Sequence, residues 1–96
     1  MHYKLYCSSG NSHGVEEYVS YFEIDDSGYS VRYIEVKADG SAFRYSTDHP
    51  ADGYGVLPEG VWNEPEASKN EHGTVVSISA ELFEAVWSTT VCANVP

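Results

Sequence analysis

Four histidines, two cysteines and several adjacent carboxylates are the side chains here with reactive chemistry, and their spacing decides how far each can be taken. His2, His13, His49 and His72 show no HxH, HxxxH or HExxH pattern, the spacings that turn two imidazoles toward one metal ion. Asp48-His49 and Glu71-His72 set a carboxylate beside an imidazole, yet neighbours on an extended chain point to opposite sides. The expectation is four loop histidines, with no metal and no other cofactor. A nucleophile would have to be Cys7 or a loop serine working with His13. Ser8-Ser9-Gly10 is ordinary turn composition, and there is neither a nucleophile elbow nor a P-loop. Glu16-Glu17 and Asp25-Asp26 are paired acids, but carboxyls in loops and turns stay solvated and ionised at neutral pH, which suits them poorly to general-acid work. The chain is therefore read as a non-enzyme. Cys7 and Cys92 form no CxxC and are expected to be reduced thiols.

Charge is the stronger signal. Fifteen acids face five bases, a formal net charge of −10, in a chain that also carries eight Tyr, three Phe and two Trp. High charge alone favours disorder. Thirteen aromatics oppose it, because each large ring buries much apolar surface on folding. A folded domain with this excess of one sign repels itself, and its field attracts basic surfaces. Five dispersed cations (Lys4, Arg32, Lys37, Arg44 and Lys69) make no patch for phosphates, so direct nucleic-acid binding and attachment to anionic membrane are disfavoured. No apolar run approaches the roughly 20 residues of a membrane span, and the first residues lack the pattern of a signal peptide. Cytoplasmic residence is the expectation.

The elements that position these groups follow from periodicity. His2 to Cys7 alternates as a half-buried strand, and Ser8 to Gly14 is a loop. Glu17 to Ile24, Tyr29 to Lys37 and Ser41 to Ser46 form a meander, joined by Asp25-Asp26-Ser27-Gly28 and by the Asp39-Gly40 turn. From Thr47 to Gly73 periodicity is lost, and an irregular acidic loop is predicted, pinned by Leu57 and Trp62. Thr74 to Ile78 is a short strand. Ser79 caps a helix ending by Thr90, with Leu82, Phe83, Val86 and Trp87 as its apolar stripe. The sum is one α+β domain over residues 1–96. It combines a mostly antiparallel sheet of about four to five strands with one C-terminal helix packed on one face.

Two phrases carry a likeness. Val31-Arg32-Tyr33-Ile34-Glu35-Val36-Lys37-Ala38-Asp39-Gly40 resembles the R-x-I-E…D-G hairpin of a small uncharacterised bacterial domain family. Ile78-Ser79-Ala80-Glu81-Leu82-Phe83-Glu84-Ala85-Val86-Trp87 resembles its terminal I-S-x-E-x-F-E-x-x-W helix, and Val56-Leu57-Pro58-Glu59-Gly60 its acidic, proline-containing loop. The likeness runs from Tyr18 to Trp87, rests on a turn, a cap and a core stripe, and implies no activity. In size and charge the chain is also similar to small acidic inhibitors of phage and toxin–immunity loci, anti-CRISPR proteins among them. Format of this kind does not by itself assign function.

The leading expectation is a monomeric inhibitor that occludes a basic, nucleic-acid-binding protein surface by presenting carboxylates in place of phosphates. An immunity protein neutralising a nuclease toxin is the nearest alternative. From another class comes a small-ligand or housekeeping domain whose acidity serves solubility alone. The partner-binding residues are expected among Glu16, Glu17, Glu23, Asp25, Asp26 and Tyr21 on the second strand and its turn. Asp48, Asp52, Glu64 and Glu66 along the long loop form the second set.

Overall fold

The computed structural model describes residues 1–9, 17–63 and 73–95. Its elements are β1 (His2–Ser8), β2 (Tyr18–Ile24), β3 (Ser30–Lys37), β4 (Ala42–Ser46), β5 (Ala51–Asp52), β6 (Gly55–Val56), β7 (Gly73–Ser77) and α1 (Ala80–Thr89). Five strands form one antiparallel sheet in the order β4-β3-β2-β1-β7, and β5 pairs with β6 as a separate hairpin. The α+β architecture expected from periodicity is the one observed. No helix among the described residues is long and apolar enough to cross a membrane.

Register follows from alternation. Tyr6 lies opposite Ser20 and Val75, and Phe22 opposite Lys4 and Tyr33. Side chains of these positions share one face, because successive residues on a strand point to opposite sides. On that face Tyr6, Phe22 and Ile24 are buried against Tyr18, Tyr33, Trp62 and Val75. On the other face Ile34, Ala42 and Cys92 are buried against Tyr21, Val36, Val86, Trp87 and Val95. The sheet therefore carries a core on each side.

Helix α1 covers the second face. Ser79 caps it, its Oγ accepting from Leu82 N–H at 3.1 Å. Phe83 has no exposed surface and packs on Tyr3 with ring centroids 5.4 Å apart. Leu82 departs from the predicted stripe: it is exposed, at the margin of the buried arc.

The first face is covered by the segment predicted to be an irregular loop. That segment contains the β5–β6 hairpin, whose two-residue strands are too short to produce a periodic signal. The hairpin packs Tyr54 on Phe43 at 5.1 Å, and Trp62 packs on Phe22 at 4.9 Å. Trp62 N–H also donates to Gly28 carbonyl at 2.7 Å, and Val61 bridges to Tyr29. Trp62 thus pins the loop as expected, and the pin is the β2–β3 turn.

That pin depends on Gly28. Its φ is +93°, and a Cβ there would stand 2.6 Å from Val61 Cγ1, a stiff β-branched side chain. Gly28→Ala is expected to cost about 1–3 kcal/mol in urea denaturation. Adding Val61→Ala should recover only the steric part. Full recovery would mean that the positive φ carries no strain.

Past α1 the chain returns along β4. Ala93 N–H donates to Ala42 carbonyl at 2.8 Å, Asn94 Oδ1 accepts from Arg44 N–H at 3.0 Å, and Asn94 Nδ2 donates to Arg44 carbonyl at 2.8 Å. Cys92 is placed there, beside β4, while Cys7 lies on β1. Three strand spacings, about 14 Å, separate those positions. A disulfide needs Cα atoms within about 7 Å. Both cysteines are free thiols.

Candidate functional site

The expected partner-binding residues separate into three groups. Glu16, Glu64 and Glu66 lie outside the described residues. Glu23, Tyr21 and Asp52 are drawn into the body of the protein. Glu17, Asp25, Asp26 and Asp48 remain at the surface, but not together.

Glu23 is only 7 % exposed, and burial of a carboxylate requires a cation and hydrogen bonds. Both come from the neighbouring strand, where the register sets Arg32 opposite Glu23. Arg32 Nε donates to Glu23 Oε1 at 2.6 Å and Nη2 to Oε2 at 2.8 Å, while Tyr3 OH donates to Oε2 at 3.0 Å. The guanidinium also donates to Glu84 from both Nη atoms, and it lies over the rings of Phe83 (4.9 Å) and Trp87 (5.1 Å). The hydrogen-bonded guanidinium holds the carboxyls of Glu23 and Glu84 below their ordinary range. This is a clasp between α1 and the sheet. Glu23 is therefore removed from the expected partner face. Tyr21 is half-buried on the same side of the sheet, against the cluster around Ile34.

Asp52 is the hub of the β5–β6 hairpin. It accepts from Tyr45 OH (2.9 Å), Tyr54 N–H (2.8 Å) and Asn94 Nδ2 (2.9 Å), and it faces His49 Nε2 at 2.8 Å. Burial pushes its carboxyl up, but the hydrogen bonds from His49, Tyr54, Asn94 and Tyr45 outweigh burial and hold it well below the usual range. Burial, with the carboxylate beside it, pushes the Tyr45 phenol up to about 12. A histidine–carboxylate pair of this length invites a catalytic reading. Its carboxylate, however, is fully engaged in tying hairpin, β4 and tail together. His49 reaches Asp52 three residues on, where the sequence suggested only its neighbour Asp48.

The four surface acids sort by the ends of the sheet. Glu17 precedes β2 and Asp25 follows it, so the two are about 25 Å apart along the strand. That exceeds a screening length of about 8 Å at physiological salt, and the two cannot act as one patch. Asp25 and Asp26 instead share an end with Asp48, because the register sets the close of β2 and β4 beside the start of β3. The Tyr29–Val61 bridge brings Glu59 to the same end. The acids of the turn and of the long loop, treated as two sets in the sequence, lie at one end of the sheet.

Within it, Asp25 Oδ1 accepts from the N–H groups of Ser27 (3.0 Å) and Tyr29 (2.9 Å), which fixes the turn. Asp26 is 89 % exposed, its Oδ1 3.7 Å from His2 Nε2. Tyr29 (51 % exposed) and Val61 (58 %) stand among these acids, an aromatic and an aliphatic side chain left to solvent. Sequence patterning missed Val61 because it lies outside any periodic run, and Tyr29 because alternation does not distinguish a covered face from an open strand end. The one available signal was Asp25 to Gly28, which marks a tight turn and therefore a sheet end.

Cations are present at this end too: the N-terminal ammonium of Met1 lies 3.4 Å from Asp26 Oδ1, and Lys4 borders the turn. Arg32 is held in the clasp, and Arg44 donates to Trp87 carbonyl (3.1 Å) with its guanidinium 5.0 Å from the Trp87 ring. Lys37 lies over Phe43 at 5.3 Å, and Lys4 Nζ donates to Ser77 Oγ at 2.9 Å. Lys69 lies outside the described residues. Among the described residues no three His, Cys, Asp or Glu side chains converge in a way that would hold a metal ion. Set against known protein families, curated proteins and solved structures, the chain matches none.

Proposed function

We propose that this chain is a small acidic binding protein that occupies a basic, nucleic-acid-binding surface of a protein partner and so inhibits it. The observation that carries the reading is the placement of Asp25, Asp26, Asp48 and Glu59 at the same end of the sheet as exposed Tyr29 and Val61. Carboxylates held by a rigid turn stand in for phosphates, and a tyrosine among them supplies the anchor that interfaces favour. Arg32 and Arg44 are each hydrogen-bonded within the fold, to Glu23 and Glu84 and to the Trp87 carbonyl respectively. An anti-defence inhibitor and an immunity protein against a nuclease are two settings of this one mechanism.

The test is retention of bacterial lysate proteins on the immobilised chain. Binding should fall as salt rises from 0.1 M to 1 M, since the screening length drops from ~10 Å to ~3 Å. Duplex DNA should compete. Charge reversal of Asp25, Asp26, Asp48 and Glu59 to lysine should abolish retention, and Glu17→Lys should leave most of it. Retention indifferent to salt, DNA and the fourfold reversal would rule the reading out.

A further inference from the structure

The two edges of the five-stranded sheet are finished differently. Along β4 the returning tail occupies the edge, through Ala93 and Asn94. Along β7 nothing among the described residues does so. Ile78 N–H donates to Tyr3 carbonyl at 3.0 Å, and the register sets Val76 opposite Leu5 and Thr74 opposite Cys7. Backbone groups of an antiparallel strand turn to one side and then the other, residue by residue. Thr74, Val76 and Ile78 therefore turn theirs to β1. Gly73, Val75 and Ser77 turn N–H and C=O outward, where they have no partner among the described residues.

The group that matches such a row is another extended backbone. Charge, proline or a bulge ordinarily blunts an open edge, and Gly73–Ser77 contains none of them. The same composition selects the occupant. Fifteen acids are present in the chain, yet none lies on β7, and the charged side chain opposite Ser77 is Lys4, whose ammonium is bound to Ser77 Oγ. A basic strand finds no acid there to pair with, whereas a second β7 brings no like charge opposite its own.

We propose that β7 pairs with β7 of a second copy, antiparallel about a twofold axis at Val75, in place of the monomer expected from the sequence. Only with Val75 facing Val75 and Gly73 facing Ser77 are all the outward groups used, each such pair exchanging both of its bonds. Thr74 then stands opposite Val76 as the closer, non-hydrogen-bonded pair. Val76, 50 % exposed in the single chain, thereby gains a β-branched neighbour. The interface is isologous, and with β4 already finished by the tail the assembly closes at two copies. Strands of five residues bury little area, so the dimer is weak, with a Kd on the order of 0.1 mM.

Sedimentation equilibrium of the intact chain should show monomer passing to dimer between about 10 μM and about 1 mM. Higher salt should strengthen association, because two bodies of net charge −10 repel and the screening length falls from ~10 Å at 0.1 M to ~3 Å at 1 M. Hydrogen exchange at the Val75 and Ser77 amides should be about fourfold slower at the upper concentration, the ratio of monomer fractions for that Kd, while Thr74 and Val76 are protected at both. A mixture of 13C-labelled and unlabelled chains should give intermolecular cross-peaks between Thr74 Hα and Val76 Hα, which fix the register. Val76→Lys changes an exposed side chain and lowers the net negative charge, yet should abolish association by charging the edge. Val75→Pro removes an outward N–H, which an edge strand tolerates, and should do the same. It also deletes a packed side chain, so Val76→Lys is the deciding variant. A chain that stays monomeric at about 1 mM in high salt, association untouched by Val76→Lys, or β7 amides whose exchange ignores concentration would overturn the proposal. Protection that appears only when a lysate protein binds would also overturn it, by giving the edge to a partner's strand. Salt separates this result from that of the acidic surface, whose binding it weakens.

Discussion

Replacing Phe83 by alanine is expected to lower the unfolding free energy by about 3–5 kcal/mol, the loss typical of a fully buried aromatic. The ring has no exposed surface, packs on Tyr3, stacks with Trp87 at 6.1 Å and carries the Arg32 guanidinium over its face. Trp87→Ala should cost less, since Trp87 is only half-buried. For a domain whose whole stability is about 5–15 kcal/mol, the Phe83 variant should unfold at markedly lower urea. A midpoint unchanged from the parent chain would show that α1 is not held by this side chain.

Arg32→Met should be comparably damaging at neutral pH, about 3–5 kcal/mol, because it strands a buried carboxylate without its cation. The pH dependence identifies the cause. In the parent chain Glu23 titrates below its unfolded value, so its contribution is present above the ordinary carboxylate range and is lost as pH falls through the depressed value. In the variant the sign reverses. An unpaired buried carboxylate prefers its proton, so acidification relieves the penalty. The gap between parent and variant, read from urea midpoints, should therefore be widest near pH 7 and narrow below about pH 4. A gap that does not change with pH would mean that the lost stacking on Phe83 and Trp87 matters and the stranded charge does not.

The meander, the capped helix and the choice of faces were legible because each is a local pattern. Val19, Tyr21 and Glu23 alternate with Ser20, Phe22 and Ile24, and the structure keeps that division. The same alternation set Glu23 on the row of Val19 and Tyr21, although it was expected at the partner face. What it did not supply was the partner. Pairing Glu23 with Arg32 requires the register, which shifts between Glu23 and Ile24 at an irregularity that no residue type announces. The β5–β6 hairpin was missed although Asp52-Gly53 is a strong turn signal, because strands of two residues leave nothing to alternate. The acidic end was missed as a unit for a different reason. Its members are Asp25, Asp26, Asp48 and Glu59, and only tertiary pairing of Val61 with Tyr29 brings the last of them to the turn.

Asn94 has a consequence for how these molecules meet one another. Its amide presents to Arg44 both an acceptor and a donor, the two groups that another strand's backbone would offer, and Ala93 completes the row at Ala42. A flank finished in this way gives a second copy nothing to zip onto, which blocks growth of sheets from molecule to molecule into fibrils. Ordinary asparagine chemistry at one position thus works as a guard against aggregation. The backbone along β4 is thereby kept from pairing with that of a second copy.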